Sequence, residues 1–538
     1  MSRTTVRRPG GSLRRAPCAL HLEALETRTL LSADLYQAFP GLGPSGWIPP
    51  DTCGAVGASF VDQSGNPQPG YFLETINMSI AYYRKDTGAR TFSQSLGNFF
   101  SPLGSVNLVG DPVVVYDDLT GQFVVGVIDS GGVPHRAGFD LAISYNSDLS
   151  QGWYMDRYDV YDGIGSSELN DYPKMGFNAD AYVISFNMFP NGGSFHVSTL
   201  SVDKSSLAGY TNIVPGGSGN STLVPAVMHD ANPGDPEWLV ETGSSSTVWL
   251  VKMSNVLSTT PTYQTYSVAV PSYASPPNAT QPGGGTIPVS GLGTRFYNAA
   301  ERYGQLVATH TIGSGGVAHA RWYQFDISAD SPSRVQSADI NPGPSVHTYF
   351  PTIEINTNGD LGITYIESSP SEYMSMYVAG QAAGDPLGTM QVGVASHPGT
   401  SHYSLSRVGD YSAISVDPDD GVTFWAANEY KANSSFNTGI AEFGISPQGA
   451  APSPGFAGRA AGLVNSDAFL LDNSSLPPIS AAVQVELQLS SLDWLFSSSR
   501  AKDRDTLFAG LVSSHSTEST LLKSRDRRTP VWDDTLSL

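Results

Sequence analysis

Four aspartates recur along the chain at near-constant spacing, each in a short phrase that opens an apolar run. Asp51, Asp111 and Asp171 lie 60 residues apart in each step, and Asp410 stands in a later copy of the phrase. Carboxylates repeated at one position of a structural repeat can surround an opening and bind Ca²⁺, or a cationic or polyhydroxylated ligand. They can also accept hydrogen bonds from nearby backbone N–H groups, and recurrence once per unit favours this structural role.

Each phrase is followed by two apolar runs joined by a tight turn, which predicts a β-hairpin. Residues 112–116, for example, turn through 117–121 into 123–127, and Asp-Gly and Asn-Gly turns supply the positive φ that such hairpins require. Two further strands usually follow, so a unit of about 60 residues holds four strands, as in one propeller blade.

The repeat predicts an all-β fold, a β-propeller. Units starting near 51, 111, 171, 226, 295, 350 and 410 give seven four-stranded blades, or six if the weak fourth unit is an insertion. A pair of β-sandwiches would leave the period unexplained.

Composition and charge agree with this fold and exclude other classes. The 538 residues include 56 Gly and 37 Pro, and only 14% are charged, as expected for many short strands and turns. The net charge of −21 argues against nucleic-acid binding, for which a basic face is expected. No stretch approaches the ~18 apolar residues that span a bilayer, and the two cysteines give no disulfide framework.

Changes in composition divide the chain into four segments. We expect a disordered export or surface leader at 1–33, a linker at 34–48 and the propeller at 49–447. The segment 448–538 is predicted to be an Ala/Pro/Ser-rich linker followed by a mostly disordered tail. We expect a monomer.

The basic N-terminus carries a recognisable phrase. Residues 22–33, Leu-Glu-Ala-Leu-Glu-Thr-Arg-Thr-Leu-Leu-Ser-Ala, resemble the Leu-Glu-Pro-Arg-x-Leu-Leu leader of certain bacterial surface proteins, with Thr27 where that pattern prefers Pro. The resemblance implies export to the cell surface or the medium. The alternative is a basic tail that has no targeting function.

The repeated phrases carry a second resemblance. Those at 49–57, 110–112, 171–174 and 409–412, followed by 424–425 and 428–430, resemble in the same order a family of secreted bacterial proteins with a sialidase-like propeller fold. The resemblance covers roughly 49–445 and implies fold and export, but leaves activity open. Cys53 stands where Asn is expected in this family, and Val408 where Trp is expected.

One further phrase resembles a known turn device. Residues 415–425 resemble a degenerate Asp-box, in which an aspartate caps backbone N–H groups and a tryptophan packs between sheets. This resemblance implies a structural role.

Sialidase chemistry would require three arginines gripping a carboxylate, a tyrosine activated by a glutamate, and an aspartate as acid and base. Arg295, Arg321 and Arg407 are the candidate arginines, but the first two fall in one predicted blade and none occupies the early first-blade position. Paired carboxylates with glycosidase spacing are not recognisable either.

The sequence therefore predicts an exported or cell-surface propeller that binds a glycan or a surface protein at one channel mouth. Asp111, Asp171 and Asp410 are also the candidate Ca²⁺ ligands. A glycan hydrolase on the same scaffold and a purely structural surface or adhesion protein are the alternatives. The candidate ligand-binding residues are Asp51, Asp111, Asp171, Asp410, Arg295, Arg321 and Arg407.

Overall fold

The computed structural model describes residues 33–104, 106–215, 222–329, 331–433 and 435–446. These residues form seven groups of four antiparallel strands that follow one another along the chain, which are the blades of a β-propeller. Four of the groups are separate sheets, and the other three are joined into one 12-stranded sheet by parallel pairing of their innermost strands, Glu168–Phe177, Val224–Met228 and Phe296–Arg302. The predicted fold class is confirmed, and the weak fourth unit is a blade rather than an insertion. The predictions for residues 1–32 and for the tail from 447 lie outside the described residues.

The blades are numbered in chain order, and their strands are given from the innermost outward. Blade 1 is Cys53–Val56, Tyr71–Ile76, Ser79–Arg84 and Arg90–Ser95; blade 2 is Leu108–Asp117, Gln122–Asp129, Gly138–Ser144 and Trp153–Asp159. Blade 3 is Glu168–Phe177, Ala181–Pro190, His196–Asp203 and Gly209–Ile213; blade 4 is Val224–Met228, Glu237–Ser244, Thr247–Ser254 and Thr262–Ala269. Blade 5 is Phe296–Arg302, Gln305–Ser314, Val317–Asp326 and Ser333–Asp339; blade 6 is His347–Ile355, Leu361–Ser369, Glu372–Gln381 and Val394–His397. Blade 7 is Ala413–Val416, Phe424–Tyr430, Asn437–Gly444 and Asp34–Pro40.

Short elements complete the described fold. The two-residue strands Phe60–Val61 and Pro67–Gln68 pair with each other, as do Ala279–Thr280 and Thr286–Ile287. A single helical turn spans Leu96–Phe99, and 3₁₀ turns span Ser101–Leu103, Leu149–Gln151 and Val289–Leu292. None of the helices among the described residues has the length and apolar character needed to cross a membrane.

Blade 7 is closed by the N-terminal strand, so the prediction of a linker at 34–48 is wrong for its first half. Asp34–Pro40 pairs antiparallel with Asn437–Gly444, because the C-terminal run supplies only three strands and would otherwise leave an unpaired sheet edge. Phe39 of this strand contacts Tyr83 and Trp425, with ring centroids 5.6 and 6.3 Å apart.

The Asp-box-like phrase forms the turn device that its sequence predicts. The backbone N–H of Asp419 donates to Oδ1 of Asp417 over 3.0 Å, and the indole N–H of Trp425 donates to Oδ2 over 3.1 Å. Gly421 has φ of +70°, which suits glycine. Lys85 of blade 1 pairs with the same aspartate at 2.6 Å, so the turn also joins blades 7 and 1.

The core lies between the faces of neighbouring blades, where aromatic rings meet. Phe139 of blade 2 meets Phe186 of blade 3 edge-on at 5.1 Å, and Phe72 of blade 1 stacks on Trp425 of blade 7 at 5.9 Å. All four are at most 1% exposed. Large buried rings bury much apolar area per residue, and this packing fixes the innermost strands that carry the repeated phrase.

Candidate functional site

The repeated phrase marks a β-bulge in which one residue adopts a left-handed backbone. Such a conformation is costly for most residues but more accessible to Asp and Asn. Strand pairing is irregular at this point, for example between Gly110 and Val113 and between Asp171 and Lys174, as expected for a bulge. The left-handed residues, with φ from 49° to 75°, are Asp51, Asp111, Tyr172, Thr222, Phe350 and Asp410.

A polar side chain of the preceding blade holds several of these bulges. Oδ1 of Asn77 accepts the backbone N–H of Asp111 over 2.9 Å, and Oδ1 of Asn187 accepts that of Thr222 over 2.7 Å. The sequence analysis missed both asparagines. Their signal is a polar residue near the end of the second strand of blades 1 and 3. The bulges are therefore locked by side chains of the neighbouring blade. The expected role of the aspartates as acceptors for backbone N–H groups is not what holds them, because Asp51, Asp111 and Asp410 accept hydrogen bonds from the side chains of Asn77, Tyr411 and Arg407.

The structure also brings three of the predicted aspartates together. The carboxyl group of Asp51 is in hydrogen-bond contact with that of Asp111, and both interact electrostatically with Asp410. Lys174 and Tyr411 complete this group, which we call the axial cluster. Its five members are between 2% and 8% exposed.

Contacts within the axial cluster join blades that are not neighbours. Nζ of Lys174 lies 4.1 Å from the ring centroid of Tyr172 and 3.8 Å from that of Tyr411, within the range of cation–π attraction. The hydroxyl of Tyr172 in blade 3 donates to the carbonyl oxygen of Asp410, next to blade 7, over 2.8 Å. The cluster therefore lies across the propeller axis.

The axial cluster shifts the pKa values of its own members. Burial, together with the charges of Asp111 and Asp410, raises the pKa of Asp51 well above its ordinary value. Burial raises the pKa of Asp410 to about 6, although Arg407 opposes the shift. Burial also lowers the pKa of Lys174 to about 8, against nearby negative groups that favour its charged form.

The paired carboxyl groups of Asp51 and Asp111 need a proton or a ligand between them. Oδ1 of Asp51 is buried without a hydrogen-bond partner in the protein, while Nδ2 of Asn77 donates to Oδ2. Two carboxylates in contact cannot both ionise cheaply, so a proton on Asp51, whose pKa burial raises well above its ordinary value, relieves their repulsion. The pair can then donate one hydrogen bond and accept others.

Two more predicted residues lie at the edge of the axial cluster. Arg407 donates to Oδ2 of Asp410, and its side chain is 53% exposed. Burial is the main cause that raises the pKa of Tyr411, and the charge of Asp171 adds to it; Asp171 itself is only half-buried. An accessible guanidinium therefore borders a buried group of carboxyls.

Arg295 and Arg321 do not form a three-arginine carboxylate-binding site with Arg407. Nη1 of Arg295 donates to the carbonyl oxygen of Leu292 over 2.8 Å. Burial raises the pKa of Tyr297, and the charge of Arg295 opposes that shift. Arg321 lies in the third strand of blade 5, where Nη2 donates to Asp339 over 2.9 Å. The prediction that Arg321 belongs to the channel-mouth site is wrong, because two strands separate it from the axis and a neighbouring aspartate neutralises it.

The predicted calcium ligands are not the side chains that this structure places close enough together to bind a metal ion. Within the described ranges, one group of three acidic or histidine side chains has its ligand atoms within 4.8 Å of one another, and it is Asp162, Glu168 and His196. Asp111, Asp171 and Asp410 do not form such a group; Asp111 accepts a hydrogen bond from Tyr411 and Asp410 accepts one from Arg407.

Comparisons with known proteins find no matching family model and no matching curated protein. Among solved structures, a Dyadobacter fermentans protein of unknown function aligns with 64% of this chain and 100% of its own, at 11% identity and a TM-score of 0.36. Trypanosoma rangeli sialidase aligns over 74% of this chain and 60% of its own, at 10% identity and a TM-score of 0.32. An endo-arabinase from Bacteroides thetaiotaomicron aligns over 53% and 97%, at 14% identity and 0.31. The blade topology itself assigns the fold, and similarities this low do not assign an activity.

Proposed function

We propose that this protein is an exported β-propeller that binds a polyhydroxylated, glycan-type ligand at the face bordered by Arg407. The observation that carries the proposal is the exposed guanidinium of Arg407 paired with Asp410 beside the contacting carboxyls of Asp51 and Asp111. Guanidinium, carboxylate and carboxylic acid together supply both donors and acceptors, which is what neighbouring sugar hydroxyls require.

The geometry supports binding better than hydrolysis. The carboxyls of Asp51 and Asp111 are in hydrogen-bond contact, whereas the catalytic carboxyls of glycosidases lie about 5–5.5 Å apart in retaining enzymes and about 6.5–9.5 Å apart in inverting ones. A three-arginine grip would need Arg321, which is paired with Asp339 in another part of blade 5.

Glycan binding is testable with the full-length protein on a glycan array, followed by calorimetric titration of the glycans that bind. Arg407→Gln and Asp410→Asn should each weaken binding by about tenfold or more, since one charge-assisted hydrogen bond is worth at least ~1.4 kcal/mol. The matched control is Arg334→Gln, an exposed arginine of blade 5 whose Nη1 contacts Ser337. The control should bind like the wild type.

Three outcomes would contradict the proposal. An array with no bound glycan would favour a structural surface role, and equal binding by the wild type and Arg407→Gln would move the site elsewhere. Release of sugar during incubation with a bound glycan would favour the hydrolase.

Export is a separate part of the proposal, supported by the leader-like phrase at 22–33. Fractionation of cells that express either the full chain or a variant lacking residues 1–32 tests it. The full chain should reach the surface or the medium and the shortened chain should remain inside. Retention of both chains inside the cell would refute export by this leader.

A further inference from the structure

A second group of ligand-type side chains lies in blade 3, outside the axial cluster. Glu168 and His196 are the first residues of the innermost and third strands, and Asp162 stands in the loop that leads to Glu168. One ligand atom from each lies within 4.8 Å of the other two. Glu168 precedes Asp171 by three residues in one strand, or about 10 Å, so the group lies on the same face as the axial cluster.

The imidazole of His196 is oriented as a metal ligand would be. Its Nδ1 lies 2.9 Å from the carbonyl oxygen of Ser194, which can only accept, so Nδ1 carries the proton. Nε2 then faces Oδ2 of Asp162 at 2.6 Å. Metal-binding histidines are commonly fixed in this way by a carbonyl behind the ring.

The carboxylate of Asp162 is also held in place by groups around it. The hydroxyl of Ser198 donates to Oδ2 of Asp162 over 2.5 Å, and the backbone N–H of Ile164 lies 3.3 Å from Oδ1. Such outer contacts set the direction of a ligand before the ion arrives.

The third member, Glu168, is left unsatisfied by the protein. Its side chain is buried, with the residue 4% exposed, and Oε1 has no hydrogen-bond partner. Oε2 receives a long 3.4 Å contact from the backbone N–H of Asp162, and the carboxyl group is also in hydrogen-bond contact with the Asp162 carboxyl. An ion pair between His196 and Asp162 would leave this buried oxygen without a partner, which is costly. A cation among the three side chains would satisfy it.

We propose that Asp162, Glu168 and His196 bind one divalent transition-metal ion of the Zn²⁺ class. One imidazole nitrogen and two carboxylate oxygens suit Zn²⁺ and similar ions, whereas Ca²⁺ and Mg²⁺ prefer oxygen ligands alone. Ligand atoms of a tetrahedral Zn²⁺ site with bonds of ~2.1 Å lie about 3.4 Å apart, so small side-chain movements suffice. Three protein ligands leave a fourth position for water or another ligand. The proposal does not depend on glycan binding.

Calorimetric titration of the untagged, full-length protein with Zn²⁺, after chelator treatment and dialysis, tests this site. The wild type should bind one equivalent and should melt at a higher temperature with Zn²⁺ than without it. His196→Ala and Glu168→Gln should weaken binding by roughly 100-fold or more. Ser198→Ala should weaken it by about tenfold, because the hydroxyl of Ser198 orients the carboxylate of Asp162. The control is His402→Ala, an exposed histidine whose Nε2 contacts the carbonyl oxygen of Gly284.

The proposal fails if the wild type shows no saturable Zn²⁺ binding, or if His196→Ala and Glu168→Gln bind as the wild type does. Melting of each variant in chelator shows whether it folds. If a variant does not fold, the visible spectrum of Co²⁺ added to the wild type decides. Strong bands of four-coordinate Co²⁺ would support the site, and the weak spectrum of the hydrated ion would refute it.

Discussion

The phenolic hydroxyl of Tyr411 in blade 7 donates to Oδ2 of Asp111 in blade 2 over 3.1 Å. Blade 1 stands between these two blades, so the contact crosses the inner ends of the propeller. The same hydroxyl lies 3.2 Å from the carbonyl oxygen of Pro173 in blade 3. One phenol therefore ties three blades together, and the axial cluster stabilises the closed ring whatever it binds.

Removing the hydroxyl of Tyr411 should destabilise the closed propeller measurably. Tyr411→Phe keeps the ring packing against Lys174 but leaves Asp111 without its donor, and we expect a loss of about 1–3 kcal/mol in the free energy of unfolding. Urea unfolding followed by tryptophan fluorescence measures the change. Tyr303→Phe, at a position 59% exposed, should change stability by less than about 0.5 kcal/mol. Equal effects of the two substitutions would show that the contact contributes nothing.

Asp51 offers a test that separates backbone conformation from charge. Its φ is +50°, which Asn adopts readily and β-branched residues do not. Asp51→Asn replaces a carboxyl of raised pKa by a group of the same shape, and we expect a small effect on stability near pH 5. Asp51→Val should cost about 1–3 kcal/mol more than Asp51→Asn, as measured by urea unfolding of both variants.

The pH dependence of Asp51→Asn has a definite sign. Because the folded-state pKa of Asp51 lies above its ordinary value, the stabilisation from its proton is fully present below the unfolded-state pKa. It is lost as the pH rises through the folded-state pKa. Asn has no proton to lose, so the variant should gain stability relative to the wild type as the pH rises from 4 to 8. A constant difference over that range would refute the shared proton.

The repeat in the sequence predicted the blades because turn chemistry and alternating apolar runs are local properties. It also predicted that Asp51, Asp111, Asp171 and Asp410 would converge, since equivalent positions of a propeller meet at the axis. Three of them do so in the axial cluster, and Asp171 lies at its edge. Contacts between distant parts of the chain could not be predicted in this way. Tyr411 and Pro173 are 238 residues apart, and neither residue type indicates the other as its partner.

The predictions that were wrong or incomplete have the same physical cause, namely contacts between parts of the chain that are distant in sequence. Residues 34–40 show only a short alternation of apolar and polar residues, and their pairing partner lies some 400 positions away. Arg321 is of the residue type that binds a ligand carboxylate, but only the fold shows that Asp339 pairs with it. Asp162, Glu168 and His196 have no regular spacing because three different parts of blade 3 supply them.

The end of the propeller axis away from the axial cluster holds a buried ion network centred on His229. Nδ1 lies 2.9 Å from Oδ2 of Asp118, and Nε2 lies 3.2 Å from Oε1 of Glu354. Arg302 approaches the same Asp118 oxygen at 3.7 Å. Burial would lower the pKa of His229, but the two carboxylates outweigh it and raise the pKa to about 10. Blades 2, 4 and 6 meet through this charged imidazole.

His229→Gln should therefore destabilise the fold, and by an amount that depends on pH. A raised histidine pKa gives stability that is fully present below pH 6.5 and is lost as the pH rises through about 10. We expect a cost of about 3 kcal/mol at pH 6, since the buried carboxylate of Glu354 and the partly exposed one of Asp118 lose their cation, and a smaller cost at pH 9.5. Urea unfolding at the two values measures it. His402→Gln serves as the control, and a cost that does not shrink at high pH would contradict the assigned charge.

Because Asp34–Pro40 closes the ring of blades, we expect Phe39 to contribute more to the free energy of unfolding than its half-buried position indicates. Its ring contacts Tyr83 of blade 1 and Trp425 of blade 7, so Phe39→Ala removes packing where blades 7 and 1 meet. We expect a loss of about 2–4 kcal/mol, toward the range of aromatic truncations in cores, measured by urea unfolding. Val61→Ala, at a position 66% exposed, should cost less than about 0.5 kcal/mol. If Phe39→Ala matched this control, the N-terminal strand would not be the element that holds blades 7 and 1 together.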